Sequence, residues 1–423
     1  MDGTCGCGKG GYEGNPSGFP LLPIIAAGNI AVSARRPPFI ANPAMNFKLD
    51  ENQQLLQNEA QKLAREVFKD RAARWDRNAE VPWDNIKLLA EQGYLGLLVP
   101  EQYGGSGGSI MDLVLVLEQF GWACVSTTMY AFSSNVHANR INQLGSEAHR
   151  QKYLPGIAKG DILPSHAMSE PQAGSDANRM RTSAVREGEH YVVNGNKCWI
   201  SRAAVAHIVL VDVVFTEGDK REKGLLVVER GMPGFEIGKV EPMMGHRGSP
   251  STELVFDNCR VPVENRMAHG DFGASLMSMS LSRCCNAAIA LGAAQRAYDE
   301  AVDYLQQREA FGKRLSDFQG LRWTVADMAV KLDAARLLIY RAATNATEGF
   351  PSETEAAIAK TFANETALSV VSDAMQLFGA SGYSTALPLE RLYRDVRGFA
   401  IAGGTTHIQR NLIARKVLGR RKY

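Results

Sequence analysis

The spacing of hydrophobic residues divides the chain into a helical part, a strand-rich part and a second helical part. Apolar residues recur at helical spacing after Asp50, and Gln53 stands at the capping-box position of a helix N-terminus. Helices are also predicted over residues 111–122 and 129–144, with a Gly-rich loop over 100–108 before them. The first part is therefore predicted to be mostly helical.

The pattern changes in the middle of the chain. Strands are predicted by β-branched runs over 207–215, 224–228 and 253–256. Between Tyr191 and Ile200, the pair Asn194-Gly195 predicts the turn of a β-hairpin. We therefore expect a β-domain between two helical regions.

Helical spacing returns from about Gly273 to near the C-terminus. Helices are predicted over 321–343, 353–377 and 405–418, and the small residues of 287–294 suit close helix packing. Periodicity alone predicts a mixed α and β protein in which helices dominate.

Composition limits the classes of function. The 423 residues are 45% hydrophobic and 22% charged, with a net charge of +2, as in an ordinary globular protein of two or three subdomains. There is no long basic block, so we expect no nucleic-acid partner. No run of about 18 to 20 apolar residues predicts a membrane span. Seven irregularly spaced cysteines fit a reduced intracellular protein.

Residues 1–44 differ from the rest, with eight Gly and six Pro. Such a segment buries too little apolar surface to offset its ordering entropy, so we expect a disordered N-terminal extension. A mitochondrial presequence and a start codon assigned too far upstream are alternatives, since Met45 could begin the chain. The expected location is the cytoplasm, or the mitochondrial matrix if the source is eukaryotic.

A stretch over 394–410 carries the strongest chemical signal. Gly403 and Gly404 let the backbone approach a ligand closely. Thr405 and Thr406 follow as helix N-caps, and a helix N-terminus attracts phosphate. Taken alone, the stretch fits a ligand-binding loop and a simple capped loop equally well.

Three further stretches carry a family resemblance. They are Ala167-Met168-Ser169-Glu170-Pro171-Gln172-Ala173-Gly174-Ser175-Asp176, Trp199-Ile200-Ser201, and Arg308-Glu309-Ala310-Phe311-Gly312 followed by Gln319. In this order they resemble the acyl-CoA dehydrogenases over roughly residues 45–419. The resemblance implies an α+β fold in four segments: the extension 1–44, an N-terminal α-helical domain 45–160, a middle β-domain 161–270 and a C-terminal four-helix bundle domain 271–423.

The resemblance also implies an FAD site, formed by Met168, Ser169, Gly174, Ser175, Trp199, Ile200, Ser201, Arg308, Phe311, Gln319, Gln376, Leu377, Phe378, Gly379, Ala380, Thr405, Thr406 and His407. In the family, Arg308 and Gln319 would reach the FAD of a neighbouring subunit, which implies a homotetramer. Without a ligand, Trp199 would be a packed strand aromatic and Arg308 part of a salt-bridged surface. No G-x-G-x-x-G fingerprint predicts an NAD-binding Rossmann domain.

The substrate site implied by the resemblance comprises Ser175, Ser282, Arg283, Gly403 and Gly404, but it lacks the usual base. Most of the family has a Glu where this chain has Gly403, and branched-chain members have one where it has Ser282. The backbone N–H of Gly403 remains available to polarise a thioester carbonyl.

No catalytic base is therefore assigned. His137 and Glu170 are the substitutes, although such residues more often have a structural role.

Three functions follow from the resemblance. The first is α,β-dehydrogenation of a short or branched acyl-CoA, with electrons passed to an electron-transfer flavoprotein. The second is a non-oxidising C–S or C–C cleaving enzyme, since 401–405 and 318–328 are similar to 3-sulfinopropionyl-CoA desulfinases, although 127–133 lacks the Arg expected there. The third, DNA association, would rest on the short basic tip 420–422.

Overall fold

The computed structural model describes residues 48–419. The extension predicted over 1–44 and the basic tip 420–422 lie outside the described residues. Within the described range, no helix is long and apolar enough to cross a membrane.

The first part of the chain is helical, as predicted. Its helices are α1 (Glu51–Leu63), α2 (Lys69–Asn78), α3 (Trp83–Glu91), α4 (Ile110–Ala123), α5 (Val125–Leu144) and α6 (Glu147–Lys159), with a π-helical turn at Ala64–Phe68 between α1 and α2. The capping box is confirmed: the Gln53 N–H donates to Asp50 Oδ1 at 2.8 Å, and the Asp50 N–H donates to Gln53 Oε1 at 3.2 Å. Helix α5 is buried along nearly its whole length, so it can line an interior site.

The middle part forms one sheet. Its strands are β1 (Pro164–Ala167), β2 (Ser183–Glu187), β3 (His190–Ser201), β4 (Ile208–Glu217), β5 (Lys220–Glu229), β6 (Phe235–Glu241), β7 (Ser251–Pro262) and β8 (Arg266–Asp271). The order is β6-β7-β3-β2-β4-β5-β8, and β1 pairs in parallel with β4. A strip of β-branched and aliphatic side chains on β3, β4, β5 and β7 forms the core of this sheet.

The hairpin predicted at Asn194-Gly195 is wrong. Strand β3 continues through this pair and is hydrogen-bonded to β2 and β7. The pair instead occupies a register shift against β7, where Gly195 has φ +143° and an added Cβ would lie 2.7 Å from Thr182 Oγ1. The hairpin turn is Gly188-Glu189, which joins β2 to β3. An Asn-Gly pair serves a bulge as readily as a turn, because both need unusual backbone angles.

The last part is again helical. It comprises α7 (Phe272–Gln307), the short hairpin β9 (Glu309–Ala310) and β10 (Lys313–Arg314), then α8 (Gln319–Thr344), α9 (Glu353–Phe378), α10 (Leu389–Phe399) and α11 (Thr406–Leu418). Helix α7 packs closely on α4: a Cβ added to Gly292 would lie 2.0 Å from the Glu118 carbonyl oxygen. The small-residue face predicted over 287–294 therefore permits this approach.

Candidate functional site

The Gly-rich loop before α11 is held from inside the protein. Lys360 of α9 is fully buried and its ammonium donates to the carbonyl oxygens of Ala402 and Gly404. Burial, together with the smaller effect of the Arg283 charge, lowers the pKa of Lys360 to about 7. Thr405 caps α11 as predicted, since its Oγ1 accepts from the Ile408 N–H at 3.3 Å.

Gly403 lies directly against α7. Its φ is +67°, and an added Cβ would lie 2.9 Å from Asn286 Nδ2 and 3.8 Å from Lys360 Nζ. A side chain here would adopt a backbone conformation that L-residues rarely occupy, and it would displace the Asn286 amide. The loop therefore presents backbone where the family usually presents a carboxylate.

Glu170, one candidate base, is a structural residue. Its carboxylate accepts from the Arg181 and Thr182 N–H groups at 2.7 and 2.9 Å and from Lys197 Nζ at 2.9 Å. Burial raises the pKa of Glu170, but Lys197 and these hydrogen bonds outweigh burial and lower the pKa to about 2. A carboxylate committed in this way is a poor proton acceptor. The neighbouring Gly174 is exposed, with open space where a Cβ would be.

Trp199 is not a packed strand aromatic. It lies at a register shift between β3 and β7, has φ +61° and is 59% exposed. A bulky residue held in the left-handed region is a strained feature of the kind that clusters at ligand sites. Ile200 is buried, so only its backbone can face a ligand, whereas Ser201 is half-buried.

The stretch from Arg308 forms the hairpin of β9 and β10. Phe311 and Gly312 are its two loop residues, both with positive φ, and Phe311 is 96% exposed. Such a turn matches the twist of the two strands and leaves Phe311 exposed at its tip. Arg308 is exposed and forms no ion pair within residues 48–419, so the salt-bridged surface alternative is not supported.

The remaining flavin candidates lie at two helix ends. Gln319 begins α8 and is exposed. At the end of α9, the exposed residues are Gln376, Gly379 and Ala380, whereas Leu377 and Phe378 are buried. In the capped loop, Thr406 is buried and His407 exposed. In the stretch 167–176, which we call the flavin signature and whose turn is at Gly174, Met168 and Ser169 are half-buried and Ser175 is exposed. Exposed aromatic groups and open glycine turns fit a flat, phosphate-bearing cofactor such as FAD.

One face of α7 connects the interior groups. Ser275, Met279, Ser282 and Asn286 recur along it at intervals of three and four residues, which places them on one side of the helix. Ser275 Oγ donates to Asp212 Oδ1 at 2.8 Å. Asn286 meets Gly403 one turn beyond Ser282. The face therefore runs from the sheet to the Gly-rich loop.

A histidine oriented by a carboxylate lies at the sheet end of this face. His166 Nε2 is 2.7 Å from Asp212 Oδ2. Burial and Arg140 lower the pKa of His166, which Asp212 partly offsets, so the imidazole is neutral at pH 7 and can accept a proton. A buried carboxylate fixes the ring and stabilises the imidazolium that forms.

His137 is less suited to act as the base. It is buried on α5, its Nδ1 has no hydrogen-bond partner within the described residues, and its ring centroid is 5.9 Å from that of His166. Burial lowers the pKa of His137 well below 6.5, and Arg140, His166 and Arg202 lower it further. A proton on His137 would have cations around it and no carboxylate beside it. Of the two histidines, His166 is therefore the better proton acceptor.

Sequence reasoning missed His166 and Asp212. Asp212 stands alone in the apolar run 207–215, and an acidic residue inside a buried strand requires a partner. His166 directly precedes the stretch 167–176. The burial cost of Asp212 was a usable signal, but its partner lies 46 residues away in sequence and could not be identified without the fold.

Three family models match the chain. They describe the acyl-CoA dehydrogenase N-terminal domain over residues 50–161, the middle domain over 165–259 and the C-terminal domain over 272–418. The chain belongs to the acyl-CoA dehydrogenase family. The fold class and the family predicted from the sequence are confirmed. The residue assignments of the site and the domain boundaries stay predictions.

Two curated relatives differ in what their names describe. A short-chain-specific acyl-CoA dehydrogenase of Clostridium acetobutylicum is 37% identical, over 88% of this chain and 100% of the relative. A 3-sulfinopropanoyl-CoA desulfinase of Advenella mimigardefordensis is 39% identical, over 88% of this chain and 95% of the relative.

Solved structures share the fold at full length. Butyryl-CoA dehydrogenase from Megasphaera elsdenii superposes with a TM-score of 0.85 at 33% identity, over 88% of this chain and 100% of that chain. A structure described as PigA with FAD and proline superposes with a TM-score of 0.84 at 26% identity, over 88% and 99% of the two chains. A chain in a structure described as the electron transferring flavoprotein of Acidaminococcus fermentans has a TM-score of 0.85 at 34% identity, over 89% and 100%.

Proposed function

We propose that this protein is an FAD-dependent acyl-CoA dehydrogenase that removes hydrogen from the α and β carbons of a short or branched acyl-CoA. One observation carries the proposal: a single face of α7 joins the Gly403 loop to the His166–Asp212 pair. A loop that polarises a thioester is one of the two groups that α-proton removal requires. The His166–Asp212 pair lies about 16 Å along α7 from Asn286, so the base itself is not assigned. The names of the Clostridium and Megasphaera relatives support a short acyl group.

Each group has a distinct role in this reaction. The Gly403 N–H stabilises the negative charge that develops on the thioester oxygen. Asp212 holds the His166 ring, which would accept a proton at the far end of the α7 face rather than take the α-proton directly. When bound, FAD supplies the acceptor for the hydride. Trp199, the Gly174 turn and, from a neighbouring subunit, Arg308 would hold FAD.

The oligomer and the electron acceptor belong to the same proposal. On α8, the apolar residues Trp323, Val330 and Leu337 are exposed at intervals of seven and lie on one face. A homotetramer would cover such a face and bring Arg308 to a second FAD.

An electron-transfer flavoprotein is the proposed partner, because the description of the Acidaminococcus structure names a protein of that kind.

A non-oxidising reaction is the second candidate. Both positions that carry a carboxylate base in the family are occupied by Gly403 and Ser282. A reaction that expels CO2, or SO2 that water then converts to sulfite, leaves an electron pair on carbon where a proton replaces the lost group, and it needs no α-proton base. The name of the Advenella relative describes such a desulfinase.

Anaerobic flavin spectroscopy separates the two candidates. A dehydrogenase should bleach its flavin on addition of butyryl-CoA. Release of sulfite from 3-sulfinopropanoyl-CoA without bleaching would favour the second candidate. Arg308→Ala should weaken FAD retention, since a bidentate contact to the pyrophosphate would be lost.

A further inference from the structure

Three buried arginines in the interior lack full sets of hydrogen-bond partners. Arg140 of α5, Arg202 after β3 and Arg283 of α7 are 1%, 6% and 5% exposed. Within residues 48–419, Arg140 Nε and Nη1, Arg202 Nε and Arg283 Nε and Nη1 have no hydrogen-bond partner. We call these three residues the cation cluster. An unpaired buried guanidinium is costly, and buried charges in folded proteins are normally paired.

Arg140 has only weak hydrogen-bond partners, although the Asp212 charge also acts on it. Its Nη2 lies 3.1 Å from Met279 Sδ and 3.5 Å from Ser282 Oγ, both on the α7 face. A thioether is a weak acceptor, and a hydroxyl at 3.5 Å is at the limit of hydrogen bonding. Burial lowers the pKa of Arg140 to about 10, so it remains charged at pH 7.

The carboxylates nearby do not balance the cation cluster. Asp212 is committed to His166 and Ser275. Glu353 is half-exposed and lies 3.6 Å from Arg283. Lys360 lies beside Arg283 as a further partial charge. The unpartnered guanidinium nitrogens therefore have no acceptor within residues 48–419.

The unpartnered nitrogens of Arg140 lie near the place proposed for the thioester. Arg140 meets α7 at Ser282, and Asn286, one turn further along the same face, meets Gly403. One helical turn rises about 5.4 Å, which is the length of a few carbon–carbon bonds. An anionic group on a short acyl chain would therefore reach Arg140 while its thioester lies at Gly403.

We propose that the substrate is a short acyl-CoA whose acyl group carries an anionic substituent, a carboxylate or a sulfinate, and that Arg140 and Arg283 bind this substituent. The proposal rests on the proposed function, since it takes the acyl-CoA site as given. Arg202, like Arg140, lowers the pKa of His137 and so adds to the positive potential. Guanidinium groups suit this task because their planar donors match the paired oxygens of a carboxylate or sulfinate.

Binding to the FAD-loaded protein tests the proposal. Succinyl-CoA and butyryl-CoA have four-carbon acyl groups and differ in ending with a carboxylate or a methyl group, and the methyl ester of succinyl-CoA is an uncharged match in shape. Isothermal titration calorimetry should give at least about tenfold tighter binding of succinyl-CoA than of either neutral thioester, as expected for a hydrogen-bonded charge. Arg140→Met should remove most of this preference, and Arg140→Lys should keep part of it. In both variants, the affinity for butyryl-CoA should differ from that of the wild-type protein by less than about threefold.

The outcomes separate this proposal from the proposed function. Equal affinity of the wild-type protein for the three thioesters would overturn the anionic substituent and leave the acyl-CoA site intact. A preference that survives in Arg140→Met would overturn the assignment of Arg140. Failure to bind any of the thioesters would overturn the proposed function and this inference with it. The wild-type affinities for the three thioesters test the anionic substituent even if Arg140→Met does not fold. Flavin content and thermal unfolding show whether each variant is folded.

Discussion

Two sets of buried charges in this protein differ in how completely they are paired. Lys197 and Glu170 have side chains 0% and 1% exposed. Lys197 Nζ donates to Glu170 at 2.9 Å and to the Met168 carbonyl at 3.0 Å, and Glu170 also accepts from two backbone N–H groups. The cation cluster is equally buried, yet five of its nitrogen atoms have no partner among the described residues.

The contrast separates structure from binding. The Lys197–Glu170 pair ties the flavin-signature loop to β3 and is complete without a ligand. The cation cluster is incomplete without one, and unsatisfied buried charge is tolerated where a ligand supplies the missing partner. The Lys197–Glu170 pair and the cation cluster are equally buried. They differ in how many of their hydrogen-bond donors have an acceptor.

Breaking the complete pair should have the largest effect. Lys197→Met leaves the Glu170 carboxylate buried without its cation, so we expect the free energy of unfolding to fall by about 3–5 kcal/mol. Denaturant unfolding measures the loss. Lys87→Met, at an exposed lysine paired with Glu91, is the matched control and should change stability by less than about 0.5 kcal/mol. If Lys197→Met lowered the free energy of unfolding no more than Lys87→Met does, the Lys197–Glu170 pair would not hold the 167–176 loop on β3.

The incomplete set should respond with the opposite sign. Arg140→Met removes a buried charge that has no full partner and keeps much of its volume, so we expect stability without ligand to rise by about 1–3 kcal/mol. Thermal and denaturant unfolding of the FAD-loaded protein measure the change, and exposed Arg74→Met should leave stability within about 0.5 kcal/mol of wild type. A destabilised Arg140→Met would argue that Arg140 has a structural role like that of Lys197.

The same contrast explains what could be predicted from sequence. The α–β–α order, the capping box at Asp50 and the flavin-signature turn are local patterns, and local spacing carries them. Trp199 and Phe311 could be placed at a site by resemblance, but their strain and exposure depend on a bulge and a two-residue turn that periodicity does not encode. The Asn194-Gly195 error has the same origin, because the pair is a local signal and its strand partners are distant in sequence.

The cation cluster was out of reach for a different reason. Arg140, Arg202 and Arg283 are far apart in sequence, and each stands in a segment where an exposed arginine would be ordinary. Their meaning comes from shared burial and from partners that are absent within the described residues. Neither property is visible before the chain is folded, and Arg283 alone was named from the resemblance.

Acid should weaken the protein through its buried histidines. Burial lowers the pKa of His137, His166 and His246 below 6.5 in the folded protein. The unfolded chain therefore binds more protons than the folded one below pH 6.5, so stability rises with pH up to about 6.5 and is lost as pH falls below it. Each histidine contributes up to about 1.4 kcal/mol per pH unit.

The pH slope can be assigned to one residue. Between pH 5 and 6.5, His137→Gln should reduce the slope of unfolding free energy against pH by about one proton. Because a bound anion would offset the cations around His137, succinyl-CoA should also flatten the slope of the wild-type protein, whereas butyryl-CoA should not. An unchanged slope in His137→Gln would contradict its assignment as a neutral buried histidine.

A carboxylate introduced by substitution at Ser282 should take the place of the anionic substituent of the substrate. Of the four changes in stability predicted here, we expect this one to be the smallest. Ser282→Glu places its carboxylate beside Arg140, whose charge should lower its pKa and keep it ionised. We expect stability to rise by about 1 kcal/mol because unpaired donors gain an acceptor, and the preference for succinyl-CoA over butyryl-CoA to disappear because the internal carboxylate competes. Ser282→Gln, similar in size and uncharged, should do neither.

This variant also tests whether a simple base is what the site lacks. In the branched-chain members that this position resembles, a glutamate removes the α-proton, so a site that lacked only a base would bleach its flavin faster with Ser282→Glu and saturated acyl-CoA. Ion pairing with Arg140 makes that carboxylate a weak base, so we expect no acceleration in the single variant and a gain only when Arg140→Met is added. Faster bleaching by Ser282→Glu alone would mean that Arg140 does not bind an anion at Ser282, and the distinction between complete and incomplete buried charges would then fail at this site.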